Sequence, residues 1–292
     1  MQVLGTICVI VDNSAPTPPV TDHVHHTAHV LLAIRAFGLV STRTVTAEVG
    51  PEYVDNSIVV TLAALHRQGP MRPRDLDDVL GLSSPNVSRI LDRLEASGDL
   101  VRRSGEVADD HRAVLLSLTP VGKRRVRAIS DSAFTDAAAL TSLAKDAAHH
   151  LEALGVGSSP GVGGDEPVTL CEGLGRLGLT LRAVLLDIAG DVAGALTLCV
   201  LATSDGQGRP TSIVDHVGLT SGGATKVLDR LESSGLIERS FGTSSDRRSV
   251  ELRLTPAGRN RLDRMADDIA PHLAELHIVL VSVLRLLERR SG

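Results

Sequence analysis

The run LDRLEASG at residues 91–98 returns as LDRLESSG at residues 228–235, 137 positions later, with seven of eight residues identical. Solenoid repeats have periods of about 20–50 residues, so a period this long points to a duplicated domain. The 292-residue chain has room for two units of roughly 100–150 residues each. Between the copies lies GVGSSPGVGGDEP, residues 155–167, where Gly and Ser give flexibility and Pro forbids a continuing helix. The spacing predicts a loose leader over 1–21, a first domain over 22–154, a linker over 155–167 and a second domain over 168–292.

The two halves carry the same order of patterns. An apolar helical segment comes first, HTAHVLLAIRAFGLV against CEGLGRLGLTLRAVLLDIAG. A second helix follows, SIVVTLAALHRQG against AGALTLCVLATSDG, then a short one, RPRDLDDVLGL against RPTSIVDHVGL. In the repeated helix Val87, Ile90, Leu91 and Leu94 recur at helical spacing, as do Ala224, Val227, Leu228 and Leu231, and define one buried face. Ser84 is placed as N-cap with Pro85 at the first helical position, and Gly98 and Gly235 stop the helices. The period then drops to two: Val114, Leu116 and Leu118, and Val250, Leu252 and Leu254, read as half-buried strands. Residues 100–102 and 237–239 are their pairing partners, so each half carries a two-stranded hairpin. Thr-Pro at 119–120 and 255–256 opens a final long helix, running to about Leu154 and Arg290.

Composition narrows the fold and the partners. Hydrophobic residues make up 42% and aromatic residues 1%, with Tyr53, Phe37, Phe134 and Phe241 as the four aromatics. The core is therefore aliphatic, which suits a mainly α fold with small β hairpins (α+β). The shortage also counts against single-stranded nucleic acid, whose bases stack on aromatic faces. A formal net charge of −5 gives no global nucleic-acid or membrane signal. Cys8, Cys171 and Cys199 are widely spaced without CxxC, which fits a reducing compartment. The apolar start lacks a basic n-region and is too short to span a bilayer. No other run approaches that length, and the expectation is a soluble, cytoplasmic protein.

A short helix, a turn and a second amphipathic helix make a helix-turn-helix, whose second helix can enter a major groove. Opposite the buried face stand Asn86, Ser88, Arg89 and Arg93 in one copy, and Gly223, Thr225, Lys226 and Arg230 in the other. Asn can read adenine, Arg or Lys can read guanine or neutralise phosphate, and Ser or Thr can bond to either. The hairpins add Arg102, Arg103 and Arg112, and Arg239, Arg247 and Arg248. Arginine on a thin hairpin suits a narrow minor groove. Arg93 and Arg230 can equally pair within their helix with a carboxylate. Local charge is less basic than a usual DNA footprint: residues 55–118 hold 8 Lys+Arg and 10 Asp+Glu, and residues 193–254 hold 7 of each.

The run LSSPNVSRILDRLEASGDLVRR…DDHRAVLLSLTPVGKRR, with its counterpart LTSGGATKVLDRLESSGLIERS…SDRRSVELRLTPAGRNRL, resembles the winged helix-turn-helix of MarR-type transcriptional regulators. LDRLE, the glycine stop, D-x-R in the wing and LTP-x-G carry the resemblance over roughly 60 residues of each half. It implies a regulator of double-stranded DNA, usually a homodimer joined by its terminal helices, often with a small aromatic or phenolic effector. It also implies that Asp110 and Asp246 orient the wings, and that Arg112 and Arg248 approach the minor groove. Two copies in one chain imply a monomer acting as an intramolecular pseudo-dimer, with further self-association open. Because PNVSR differs from GGATK, the expected operator is an imperfect palindrome. The expected action is repression. Asp99 departs from the family pattern, which has an apolar residue there.

The candidate DNA-binding residues are therefore Asn86, Ser88, Arg89, Arg103 and Arg112, with Thr225, Lys226, Arg247 and Arg248. No nucleophile elbow, phosphate-binding glycine loop or HExxH occurs, so no catalytic residue, enzyme activity or cofactor is assigned. HVHHTAH at residues 23–29 places His25 and His29 four apart and His23, His26 and His29 three apart. That spacing can present ligands on one helix face, but the sequence identifies no further ligand, so no metal is assigned. Cys171 and Cys199 read as core. A non-enzymatic sensor or protein-interaction module, with one or both lobes no longer binding DNA, stays open as the alternative. Clustering of arginines on the face shared by the two reading helices discriminates between them.

Overall fold

The computed structural model describes residues 20–80, 82–104, 114–156, 169–189, 191–241 and 250–291. The first half runs α1 (Asp22–Glu48), a 3-10 turn (Pro51–Val54), α2 (Asn56–Gln68), α3 (Pro73–Leu80), α4 (Ser84–Ala96), β1 (Leu100–Ser104), β2 (Val114–Leu118), α5 (Pro120–Ser132) and α6 (Ala137–Ala153). The second half runs α7 (Leu170–Ala189), α8 (Val192–Ala202), β3 (Gln207–Gly208), α9 (Pro210–Val217), α10 (Ser221–Ser233), β4 (Ile237–Phe241), β5 (Val250–Leu254), α11 (Pro256–Ile269), a 3-10 turn (Ala270–His272) and α12 (Leu273–Ser291). The chain is mostly helical with two small antiparallel sheets. The linker at 157–167 and the leader to residue 19 lie outside the described residues.

The sequence dictates most of these ends. Gly98 and Gly235 take φ of 74° and 68°, the left-handed region open to glycine. There the amides of Gly98 and Asp99 bond back to Glu95 and Leu94, and those of Gly235 and Leu236 to Glu232 and Leu231. That double bond pattern closes the helix and turns the chain into the first strand. β1 then pairs with β2 from Leu100↔Leu118 to Ser104↔Val114, and β4 with β5 from Ile237↔Leu254 to Phe241↔Val250. Thr119 and Thr255 cap α5 and α11 through their side chains and also donate to the carbonyls of Gly98 and Gly235, both at 2.6 Å. Three residues further on, Gly122 and Gly258 lie against the Asp99 and Leu236 carbonyls, with no space for a Cβ. The motif LTP-x-G is thus a cap, a helix-compatible Pro and a close backbone approach.

Four sequence expectations are corrected. The single final helix of each half is two helices. Pro271 has no N–H to donate and breaks the second at its 3-10 turn. Residues 133–136 break the first, where Thr135 donates to Glu48 and Asp136 receives Arg43 instead of continuing the helix. Ser84 is not the N-cap of α4: Ser83 occupies that position, and the Ser84 hydroxyl donates to Asp77 on α3 at 2.6 Å, closing the turn between the two helices. The second hairpin gains a third strand, since β3 pairs with the free edge of β5; the first has only a single bridge there, Met71 to Leu116. Finally, α1 and the stretch Pro256–Arg289 are long and apolar enough to cross a membrane by length and composition alone. Both instead bury residues within the protein: Leu31, Ile34 and Phe37 of α1, and Leu276, Val279 and Val283 of α12.

Packing crosses the linker. α2 from Ser57 to Leu65 and α8 from Gly194 to Ala202 are buried on every face, so each needs cover from all sides. Part of that cover comes from the other half: α1 packs on α8, and α7 packs on α2, beside the neighbours each helix has in its own half. Gly175 and Gly178 of α7 have no space for a Cβ against Val60 and Asn56, so the α7 and α2 backbones lie close together. One core, formed by Ile58, Leu62, Leu76, Leu91, Leu94, Leu100 and Leu116 among others, is completed by Cys171 from α7. The larger core joins α1 and α6 to α7, α8 and α10–α12. Arg67 of α2 and the buried Glu172 of α7 form an ion pair at 2.8 Å across the halves. α6 and α12 also pack together, with Lys145 and Glu288 3.1 Å apart.

Candidate nucleic-acid interface

Each half presents a short helix, a tight turn and a second helix with one face in the core: α3–α4 and α9–α10. In α4, Val87, Ile90, Leu91 and Leu94 are buried, each contributing roughly 1.5–3 kcal/mol of burial. That anchoring leaves Asn86, Ser88 and Arg89 exposed, with Arg89 reaching the Asn86 amide oxygen at 3.4 Å. In α10, Ala224, Val227, Leu228 and Leu231 are buried, while Thr225 and Lys226 are exposed. The Thr225 hydroxyl donates to the Ser221 carbonyl at 3.0 Å within the helix. Its open face is therefore its methyl and oxygen lone pairs, suited to apolar contact or acceptance. Arg103 is exposed on β1. Asp110, Arg112, Asp246, Arg247 and Arg248 lie outside the described residues.

The remaining arginines of the two heads are held internally, in matching pairs. Arg102 bridges Asp92 at 2.7 Å and Glu95 at 2.6 Å; Arg239 bridges Asp229 at 2.7 Å and Glu232 at 2.9 Å. These contacts fix the first strand of each hairpin to the helix before it, so Arg102 and Arg239 brace the wing rather than reach outward as the sequence suggests. Arg93 pairs with Asp55 at 3.5 Å, and Arg230 pairs with Asp191. Each partner is the N-cap of the half's second helix, and not a carboxylate of the same helix. What stays open on α4 and α10 is a narrow polar strip with few cations.

Asp99 is fully buried at the junction of α4 and β1. Its carboxylate accepts from Tyr53 Oη at 2.6 Å and Ser97 Oγ at 2.7 Å, and Arg125 Nε stands 3.7 Å away. The Arg125 guanidinium lies over the Tyr53 ring at 4.3 Å. A buried charge needs such partners, and they are why an acidic residue is accommodated in this interior position. Burial, and then the bond to Asp99, push the Tyr53 hydroxyl pKa up. The corresponding position in the second half is Leu236.

Tyr53 also lines a cavity of about 300 Å³ between α1, α2, α7 and α8. Its apolar wall includes Phe37, Leu177 and Leu181, and Arg35, Asn56 and Arg182 supply polar groups. Arg35 additionally donates from Nε and Nη2 to the carbonyl of Val217, at 3.0 and 2.9 Å, where α9 ends before α10. The cavity wall therefore touches both heads: through Tyr53 to the end of α4, and through Arg35 to the start of the α9–α10 turn.

Cys171 and Cys199 are fully buried and unpaired. Burial raises both thiols, Cys199 to about 12, so neither carries the thiolate a redox sensor needs. Cys8 lies outside the described residues.

Residues 57–114 match the MarR family model, a stretch from α2 to the first residue of β2. No curated protein matches the chain. The match supports a MarR-type regulator; that family consists of regulators, generally not enzymes, which bind DNA and often small-molecule effectors.

Proposed function

We propose that the chain is a MarR-type transcriptional repressor of the cytoplasm in which both halves are winged helix-turn-helix lobes and one chain forms a two-headed unit. α4 and α10 are its reading helices, set into two major-groove half-sites of an imperfect palindrome. The supporting observation is the matched construction of the two heads. Arg102–Asp92/Glu95 recurs as Arg239–Asp229/Glu232, Arg93–Asp55 recurs as Arg230–Asp191, and Thr119–Gly98 recurs as Thr255–Gly235. The exchange of α1 and α7 between halves supports the pseudo-dimer, because it gives the two lobes a shared core of the kind that subunits of a homodimer share. Asn86, Ser88 and Arg89 from one head, and Thr225 and Lys226 from the other, contact base edges or phosphates. Arg103, Arg112, Arg247 and Arg248 serve the grooves beside them, and Asp110 and Asp246 orient the wings.

The cavity is the place for an effector with an apolar ring or chain and an acidic end, matched by Arg35 and Arg182. A ligand that draws Arg35 from Val217, or Tyr53 from Asp99, changes how one head is held, and release follows from its preference for that state. A second reading has its own support. So many arginines of the heads are internally paired that one lobe can have lost DNA binding and serve as a structural or sensing partner.

The test is a gel shift against the protein's own upstream DNA over a series of salt concentrations, with Arg112→Ala and Arg248→Ala separately. Each substitution is expected to weaken binding and to reduce the salt slope by about one. Weakening by only one of them supports the asymmetric reading. If neither weakens binding, the two-headed proposal fails.

A further inference from the structure

The histidine-rich start of α1 meets a second histidine pair on α6. His29, Asp146 and His150 bring one ligand atom each to within 4.8 Å of one another. Asp146 and His150 are four residues apart on α6, with Oδ1 and Nε2 separated by 3.8 Å. The Nδ1 atom of His150 is engaged by Nδ1 of His26 at 2.8 Å, which leaves Nε2, beside the carboxylate, as its ligating atom. His29 stacks on His150 with ring centroids 4.3 Å apart and planes 10° from parallel, and His25 stands edge-on to His29 at 4.6 Å.

We propose that His29, Asp146 and His150 form a Zn²⁺-class metal site that ties α1 to α6, its fourth position open to water. The donor set, two imidazoles and a carboxylate, is one that zinc takes at about 2.0–2.2 Å, and imidazole favours late first-row divalent ions over Mg²⁺ or Ca²⁺. At those bond lengths, tetrahedral ligand atoms stand roughly 3.3–3.5 Å apart, so the three groups close on an ion by about an ångström. Parallel rings cannot aim two lone pairs at one point, so binding turns one ring out of the stack, a motion the soft terminal torsion of histidine permits. His26, bonded to the far nitrogen of His150, is the outer partner that fixes ring orientation. The ion would bridge α1 to one of the helices that join the halves. The inference is independent of DNA binding.

The experiment uses the full chain, free of any purification tag and stripped with chelator, titrated with Zn²⁺ calorimetrically and in competition with a chromophoric chelator. The expected result is one Zn²⁺ per chain at micromolar protein, abolished by His29→Ala and by His150→Ala. Asp146→Asn weakens it, and His26→Gln lowers affinity by about 10–100-fold. Co²⁺ in place of Zn²⁺ gives the visible bands of a low-coordinate site in the native chain and in His26→Gln, but not in His150→Ala. Circular dichroism confirms that each variant is folded, and Zn²⁺ raises the melting temperature of the native chain alone among native, His29→Ala and His150→Ala proteins. The site is overturned if the native chain binds no Zn²⁺. It is also overturned if binding survives in both alanine variants and is lost only when the neighbouring His23, His25 and His149 are replaced.

Discussion

Gly122→Ala tests whether the LTP-x-G motif is a docking device for the wing. A Cβ at that position would stand 2.9 Å from the Asp99 carbonyl carbon, closer still to its oxygen, and 3.1 Å from Leu118 Cδ2. Backbone cannot rotate away as a long side chain can, so α5 or the start of β1 must shift. Overpacking of this kind costs about 1–3 kcal/mol. The same shift loosens Thr119 N–H to Asp99 O, at 3.0 Å, and Thr119 Oγ to Gly98 O, at 2.6 Å, each about 1 kcal/mol. The expected loss is therefore about 3–5 kcal/mol, a large share of the 5–15 kcal/mol typical of a folded protein. Urea unfolding followed by far-UV circular dichroism measures it as a fall in the midpoint at constant slope. Gly258→Ala, against the Leu236 carbonyl, should cost a similar amount. Gly222→Ala has nothing within 4 Å and should be neutral to stabilising by about 0.4–1 kcal/mol. If Gly122→Ala stays within about 0.5 kcal/mol of the native chain, the close approach does not hold the wing.

Further outcomes follow from the same structure. Lys226→Ala should weaken DNA binding about equally on all sequences, whereas Asn86→Ala should lose about 1–3 kcal/mol of discrimination at one base position; competition gel shifts with single-base operator variants separate the two. Burial on α12 lowers the pKa of His277, with Glu152 of α6 acting partly against it. The folded state therefore resists a proton that the unfolded chain accepts near 6.5, and stability is full above that pH and falls below it. Urea midpoints between about pH 7 and pH 5 should show this fall, and His277→Gln should make it shallower without abolishing it, because burial lowers His29 and His150 in the same direction. With Cys8 replaced by Ser, the native protein should not react with a disulfide reagent such as DTNB, and Cys171 and Cys199 should both react once it is unfolded.

Local chemistry made the heads legible from residue types alone. Val87, Ile90, Leu91 and Leu94 set the buried face of α4, Gly98 its end and the Thr-Pro pair the start of α5, because each acts on its immediate neighbours. Features that depend on partners far along the chain were harder to read. Arg102 and Arg239 read as outward cations, yet their carboxylate partners recur with them at the same offset, and that joint recurrence was the available signal. Asp99 looked anomalous because its partners, Tyr53 and Arg125, lie 46 residues before it and on the following helix. His150 and Asp146, at helical spacing beside His149, were visible on α6, but only the packing of α1 on α6 brings them to His29. The exchange of α1 and α7 between halves leaves no local trace beyond α2 and α8 being apolar all round.

The mass of the protein–DNA complex, measured at protein concentrations just above saturation, tests the central proposal most directly. One chain per duplex, with both half-sites of the operator protected, is the result predicted for a covalent two-headed unit. Two chains per operator, each protecting one half-site, would contradict it.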